Sequence, residues 1–194
     1  MPETCAINDA DNKITLNLVG NFCGDARTTH PGHAYRARFV RAGRVKASDG
    51  TQANIVIEPA ALENSVHLFN NRAVFLDHAG FFNYPSLEKL AGVTVNPFYK
   101  PGEQSIEGEI QLAKTPTGEL ARAIIDDLLS NPQTAPDIGL SMVCYAKFAP
   151  GEGDNQPRRM TGITHVESID LVFQPAADGR ILQALSTHFV PFGD

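Results

Sequence analysis

The sequence predicts a mostly β protein with helices, an α+β chain built around a largely antiparallel sheet. Several short stretches alternate apolar and polar residues with the period of two that is typical of half-buried strands. Only one stretch has the apolar spacing of a clear helix, and no strand–helix–strand rhythm repeats. Because 42% of the 194 residues are hydrophobic, one sizeable core can form, and we expect a single domain over residues 1–194.

Composition excludes several classes of function. The net charge is −6 and no run of Lys or Arg occurs, which argues against a nucleic-acid partner. Cys5, Cys23 and Cys144 are odd in number and far apart, so a reducing compartment fits better than a disulfide framework. The first residues have neither the basic nor the apolar region of a signal peptide, and no run approaches the ~18 apolar residues of a membrane span.

The first predicted strands carry apolar side chains at every second position. In residues 13–19, Ile14, Leu16 and Leu18 alternate with polar residues. Residues 34–47 alternate in the same way, and we expect their arginines to form a solvated face. Other predicted features of this half are apolar runs at 66–69 and 73–76, strands at 54–57, 93–95 and 106–112, and a helical turn at 59–63.

The one clear helix is predicted to begin at Thr115-Pro116-Thr117, where either threonine can cap it and Pro116 suits the first turn. Its apolar stripe runs through Leu120, Ile124 and Leu128, with Ala121 and Ile125 beside it, and Asn131-Pro132 ends it. Strands are then predicted within 137–147, with its β-rich run at 142–145, and at 162–173, followed by a turn at 175–179 and a short strand or helix at 181–185.

Three polar side chains stand where chemistry can assemble. Ser141 lies in the stretch 137–147 at the start of a β-rich apolar run, where a buried hydroxyl needs a partner, either a neighbouring strand or a histidine that takes its proton. His78 follows the run 73–76 where a strand leaves the core, so it can stay neutral and act as a base. His165 is predicted to share one face of its strand with Glu167 and Ile169, and from there it can fix the tautomer of a second His. Each His alone also fits a structural role, but together the three residues fit nucleophilic catalysis.

Two other chemistries are weaker. Cys144 lies three residues past Ser141 on the opposite strand face, which is typical of a buried apolar thiol and not of a nucleophile. His30 and His33 with Cys23 form a poor zinc spacing in a Gly-rich loop. We expect no metal and no cofactor.

Residues 66–182 resemble the tailed-phage prohead proteases and, more distantly, herpesvirus assemblin. The resemblance rests on VFLDHAG around His78, on IGLSMVCYAKF around Ser141, and on HVESIDLVFQPAADGRI, which begins at His165. The order His, Ser, third member is that of the family. The resemblance implies an antiparallel β-barrel-like core of the herpesvirus-protease type.

The resemblance also implies roles for individual residues. Ser141 is the nucleophile, His78 the base, and His165, by similarity to the assemblin strand, the residue that orients the base. The third member is often acidic in phage relatives, so Glu167 is the alternative. The equivalent oxyanion donors are the backbone N–H groups of Phe173 and Gln174, although assemblin has arginines there and this chain does not.

The function that the resemblance implies is a serine endopeptidase that processes scaffold and capsid proteins, and itself, during virion maturation. Its substrates would be the scaffold and major capsid proteins, inside the assembling bacteriophage prohead in the host cytoplasm. A homo-oligomer is expected because assemblins dimerise, and phage relatives often carry a scaffold region after the protease, so a chain truncated near that junction is expected. The alternative is a catalytically silent module for head assembly that keeps the fold.

Overall fold

The computed structural model describes residues 33–46, 52–77, 86–149 and 156–185, and these form nine strands and two α-helices. The helices are α1 (Pro59–Glu63) and α2 (Pro116–Ser130). The strands are β1 (Ala34–Arg41), β2 (Gly43–Lys46), β3 (Gln52–Ile57), β4 (Ala73–Phe75), β5 (Leu90–Lys100), β6 (Ser105–Leu112), β7 (Ile138–Phe148), β8 (Arg158–Phe173) and β9 (Arg180–Ala184).

All nine strands belong to one sheet, which curls into a half-barrel. The strand order is β2-β3-β8-β4-β5-β6-β1-β9, and β7 pairs with β8 outside that path. Six of the pairings are antiparallel, whereas β3 and β4 run parallel to β8. The predicted mostly β, α+β architecture with a largely antiparallel sheet is therefore confirmed.

Strand β8 is the branching element of this sheet. Its 16 residues pair with β7 along one edge, while β3 and β4 share the other. Ile57 of β3 pairs with Met160 near the start of β8, and Ala73 of β4 pairs with Ser168 near the end of β8. Three separate parts of the chain are therefore held in register by one long strand.

The predicted strand at 34–47 is two strands. The chain turns at Ala42 and Gly43, and Gly43 has a φ of 120°, which glycine adopts without the Cβ clash that other residues meet. The expectation of a solvated arginine face is wrong for Arg38, which is only 8% exposed. Its side chain is paired with carboxylates, as buried charge requires.

Helix α2 begins as predicted. The Thr115 hydroxyl accepts a hydrogen bond of 3.1 Å from the backbone N–H of Gly118, and Pro116 occupies the first turn. Ala121 and Ile125 are buried against the sheet, whereas Leu120 is 52% exposed. The face that packs on the core is therefore centred on Ala121 and Ile125, to one side of the predicted stripe.

The remaining elements differ from the prediction mainly in their ends. The helical turn at 59–63 is α1, the run 66–69 forms a 3₁₀ helix, and 181–185 corresponds to strand β9. The predicted strand at 93–95 is part of the eleven-residue β5. The predicted strand at 13–19 lies outside the described residues. In the described part of the chain, no helix is both long and apolar enough to cross a membrane.

Candidate active site

Ser141 lies in the buried first half of β7, directly opposite Asp170 of β8. Ser141 is 8% exposed and Asp170 is 1% exposed. Residues that face each other across antiparallel strands have their Cβ atoms about 4.5–5.5 Å apart, on the same face of the sheet. A candidate nucleophile and a buried carboxylate therefore share one small region of the sheet.

Asp170 is a residue whose importance the sequence analysis missed. It interrupts the apolar stretch from Ile169 to Val172, and a carboxylate is rarely buried unless it has partners. Asp170 does have a partner within the chain. The available signal was this single acidic residue at a position where a buried strand would otherwise be apolar.

The segment that leads to His78 meets β8 at the same level. The backbone N–H of Asp77 donates a 2.9 Å hydrogen bond to the carbonyl of Leu171, and Leu76 forms a parallel bridge with Leu171. Asp77 has a φ of 70°, a left-handed conformation that is uncommon for a residue other than glycine. His78, the predicted base, is the next residue in the sequence and lies outside the described residues.

His165 lies further along the ladder. It is exposed and pairs with Tyr145, whose ring centroid is 5.9 Å from that of His165. Tyr145 is four positions after Ser141 on β7, a distance of about 13 Å at ~3.3 Å per residue. The strands therefore do not bring His165 to Ser141, and its role as the orienting residue stays a prediction.

Glu167 lies at a bulge in β8. The pairing passes from Ser168 opposite Val143 to Val166 opposite Cys144, so Glu167 is the extra residue. A bulge shifts the alternation of side chains, and the predicted common face for His165, Glu167 and Ile169 is therefore wrong. Glu167 is partly buried and has an interaction partner.

The two predicted oxyanion donors lie just past Asp170. Phe173 pairs with Ile138 and its side chain is 63% exposed. The backbone N–H of Gln174 already donates a 2.7 Å hydrogen bond to the carbonyl of Asp137. In this conformation that N–H is already hydrogen-bonded to the residue before β7. Only a rearrangement of the turn would free it to bind an oxyanion.

The turn after β8 packs closely on the strand that carries Ser141. The backbone N–H of Leu140 donates a 3.1 Å hydrogen bond to the carbonyl of Gly179. A Cβ on Gly139 would lie 2.2 Å from the Gly179 oxygen, and one on Gly179 would lie 2.1 Å from the Leu140 oxygen. Glycine is therefore required at both positions for the two backbones to approach so closely.

A small apolar pocket lies beside these elements. Its volume is about 260 Å³, below the ~300–1,000 Å³ that is usual for small-molecule sites. Ile138, Leu171 and Phe173 line this open pocket from one face of the β7–β8 pair, and Ile124 of α2 lines it as well. Ser141 alternates with Leu140 and therefore belongs to the other face of that pair.

The alternative chemistries gain no support. Burial raises the pKa of the Cys144 thiol to about 11, so the thiol stays protonated near neutral pH. The His33 Nε2 atom lies 3.6 Å from a carboxylate oxygen of Glu119, while His30 and Cys23 fall outside the described residues. Within the described ranges, no three His, Cys, Asp or Glu side chains are grouped as metal ligands.

No protein-family model, curated protein or solved structure matches this chain.

Proposed function

We propose that this protein is a serine endopeptidase, with Ser141 as the nucleophile and His78 as the base. The observation that carries the proposal is the direct pairing of Ser141 with the buried Asp170. The backbone hydrogen bond from Asp77 to Leu171 supports it, because Leu171 is adjacent to Asp170 and His78 is adjacent to Asp77 in sequence. Strand β7, which carries Ser141, and the described segment that ends at Asp77 thus both contact β8, which carries Asp170.

The roles follow from the chemistry of the three side chains. Ser141 Oγ attacks the carbonyl carbon of a peptide bond, and His78 accepts the hydroxyl proton as the bond forms. His78 then returns that proton to the leaving amine as the C–N bond breaks. Water hydrolyses the resulting acyl-enzyme by the same exchange of a proton with His78 and regenerates the Ser141 hydroxyl.

We assign the orienting role to Asp170 in preference to His165 or Glu167. A buried carboxylate can accept a hydrogen bond from an imidazole N–H and stabilise the imidazolium that forms during attack. Asp170 is buried opposite Ser141, whereas His165 is exposed and about 13 Å further along the strand. This assignment keeps the order His, Ser, third member and gives the acidic form of the triad.

For the substrate and setting we propose what the sequence motifs imply. The enzyme would cleave scaffold and major capsid proteins, and itself, inside an assembling bacteriophage prohead. The curled, largely antiparallel sheet would then be the barrel-like core of the herpesvirus-protease type. A homo-oligomer belongs to the same proposal.

The test uses a fluorophosphonate probe, which reacts with activated serine hydroxyls. The probe should label the wild-type chain once, at Ser141, and Ser141→Ala should be neither labelled nor able to cleave a fused scaffold segment. Ser105→Ala is a matched control because it removes another buried serine hydroxyl from a strand, that of β6, and it should behave as wild type. Absence of labelling in folded wild-type protein would favour the catalytically silent head-assembly module, and cleavage by Ser141→Ala would exclude Ser141 as the nucleophile.

A further inference from the structure

A partly exposed network of ion pairs, in which only Arg38 and Glu107 are buried, lies behind the turn that packs on the Ser141 strand. Asp178, in that turn, accepts hydrogen bonds of 2.8 Å from Arg38 Nη1 and 2.7 Å from Arg180 Nε. The Arg41 Nη1 atom lies 3.0 Å from the same carboxylate. Three guanidinium groups from two strands therefore converge on one side chain.

A second carboxylate ties the same arginines to a different part of the sheet. Glu103 accepts hydrogen bonds from Arg38 and Arg41, and it lies 2.6 Å from the Lys100 ammonium group. Lys100 also contacts Glu107, which is almost fully buried. Arg38 and Arg41 of β1 are therefore also paired with Glu103, which lies in the connection between β5 and β6.

Backbone hydrogen bonds connect this turn to β1 on one side and to the strand that carries Ser141 on the other. The Arg41 N–H donates a 3.0 Å hydrogen bond to the carbonyl of Ala177, one residue before Asp178. The carbonyl of Gly179, one residue after it, accepts the Leu140 N–H at 3.1 Å. Leu140 directly precedes Ser141. Asp178 is therefore connected to the strand of the proposed nucleophile through its neighbour Gly179 and one backbone hydrogen bond.

Asp178 also has a left-handed backbone conformation, which Asp tolerates better than most residues but which only glycine adopts without a Cβ clash. Its φ is 54°, in the left-handed region. Such a conformation persists when the surroundings over-determine it, and three guanidinium contacts do so here. The ion pairs and the backbone strain concern the same residue.

We propose that Asp178 is a positioning residue of the site, which holds Gly179 and Leu140 in place and thereby sets the orientation of Ser141. This inference rests on the proposed serine-protease function for its catalytic part. Its structural part, the placement of Leu140, can be measured whether or not the chain is an enzyme. Asp178 touches no reacting atom and acts through Gly179.

Two substitutions separate the charge from the backbone conformation. Asp178→Asn keeps the size and the tolerance of positive φ but loses the ion pairs, and Asp178→Gly relieves the strain and also loses them. Both should accelerate hydrogen exchange of the Leu140 amide at least tenfold relative to the Ile110 amide of the buried strand β6. Both should also lower kcat for a peptide substrate by about 10- to 100-fold with little change in KM.

Arg41→Gln is the milder variant if either substitution at Asp178 prevents folding, because the Arg41 side chain is 39% exposed. It should produce the same two changes to a smaller degree. Glu119→Gln is the matched control, since it also removes a carboxylate paired with an arginine, at 2.9 Å from Arg122 Nε on α2. It should leave Leu140 exchange and kcat as in wild type.

The outcomes are distinguishable. Unchanged Leu140 exchange in Asp178→Asn, or wild-type behaviour of Asp178→Gly, would overturn the placement of Leu140 by the ion pairs. Faster exchange with unchanged kcat, in protein whose Ser141→Ala variant is inactive, would overturn the link to Ser141. Cleavage that persists in Ser141→Ala would refute the proposed function, and the exchange data would then still decide the structural role of Asp178.

Discussion

The two halves of the β7–β8 ladder, the half with Ser141 (called its buried end) and the half with Tyr145 (called its exposed end), differ in burial and in their surroundings. At one end, Ser141 faces Asp170, and both side chains are buried. At the other, Tyr145 faces His165, and Tyr145 is 45% exposed. Both ends lie within the same motifs of the sequence, so a motif match alone does not distinguish a polar residue in the core from one at the surface.

The difference indicates which acid–base groups can work together. A carboxylate at the buried end is shielded from water, and its interaction with a nearby imidazolium is correspondingly strong. A histidine at the exposed end is solvated and weakly coupled to anything beyond its neighbours.

Removal of the nucleophile or the base should have the largest effect. Ser141→Ala and His78→Ala should each lower the rate of peptide cleavage by about 10⁴-fold or more, and the double variant should be no slower than either one. Single-turnover cleavage of a fused scaffold segment measures all three. A double variant that is much slower than both single variants would show that the two residues do not act as a unit.

Substitution at the buried end should come next. Asp170→Asn keeps the shape of the side chain but removes its charge, so His78 should lose its preferred tautomer and kcat should fall by about 10²- to 10⁴-fold. The control is Glu167→Ala, which alters the neighbouring bulge and should keep most of the activity. Near wild-type kcat for Asp170→Asn would remove Asp170 from the triad.

Acid should weaken the network of ion pairs around Glu103 and Asp178, which lies behind the turn that contacts the Ser141 strand. The hydrogen bond from Lys100, followed by those from the arginines, lowers the pKa of Glu103 from 4.5 to about 2. Because the folded-state pKa is lowered, this contribution to stability is fully present above about pH 4.5 and is lost as the pH falls towards 2.

We therefore expect the free energy of unfolding to decrease between pH 4.5 and 2, and we expect Glu103→Gln to show a flatter dependence in that window. Urea unfolding at several pH values measures this slope. Glu119→Gln is again the control, and equal slopes for wild type and Glu103→Gln would contradict the assignment.

Substitution at the exposed end should have the smallest effect. His165→Ala removes a solvated ring that contacts Tyr145, so kcat should stay within about threefold of wild type and stability within about 0.5 kcal/mol. Initial rates across pH and urea unfolding test both values. A loss of activity in His165→Ala as large as in Ser141→Ala, with an active Asp170→Asn, would restore the histidine triad that the resemblance implies.

The sequence predicted the elements better than their register. Alternation of apolar residues located β6, β7 and β8, and the Thr115-Pro116 signal located the start of α2. It could not locate the bulge at Glu167, because a bulge depends on the pairing of two strands that are read separately in sequence. That shift is why the predicted common face of His165 and Glu167 failed.

The burial of charged side chains was the other feature that the sequence alone did not predict. Arg38 has the position of a solvated residue in an alternating strand, and only the approach of Asp178 and Glu103 from distant parts of the chain makes its burial favourable. Asp170 is similar, since the catalytic role proposed for it depends on its pairing with Ser141 across the two strands. Long-range contacts of this kind have no local pattern.

The branching of the sheet at β8 also has a kinetic consequence. Strands β7 and β8 are consecutive in the chain, so Ser141 and Asp170 can meet by closing a short loop. The parallel contacts of β8 with β3 and β4 join residues about a hundred positions apart and carry a larger loop-closure cost. The segment before His78 should therefore dock after the hairpin has formed, and a newly made chain should hold its Ser–Asp pair before it can hold a base, which delays any cleavage until the sheet is complete.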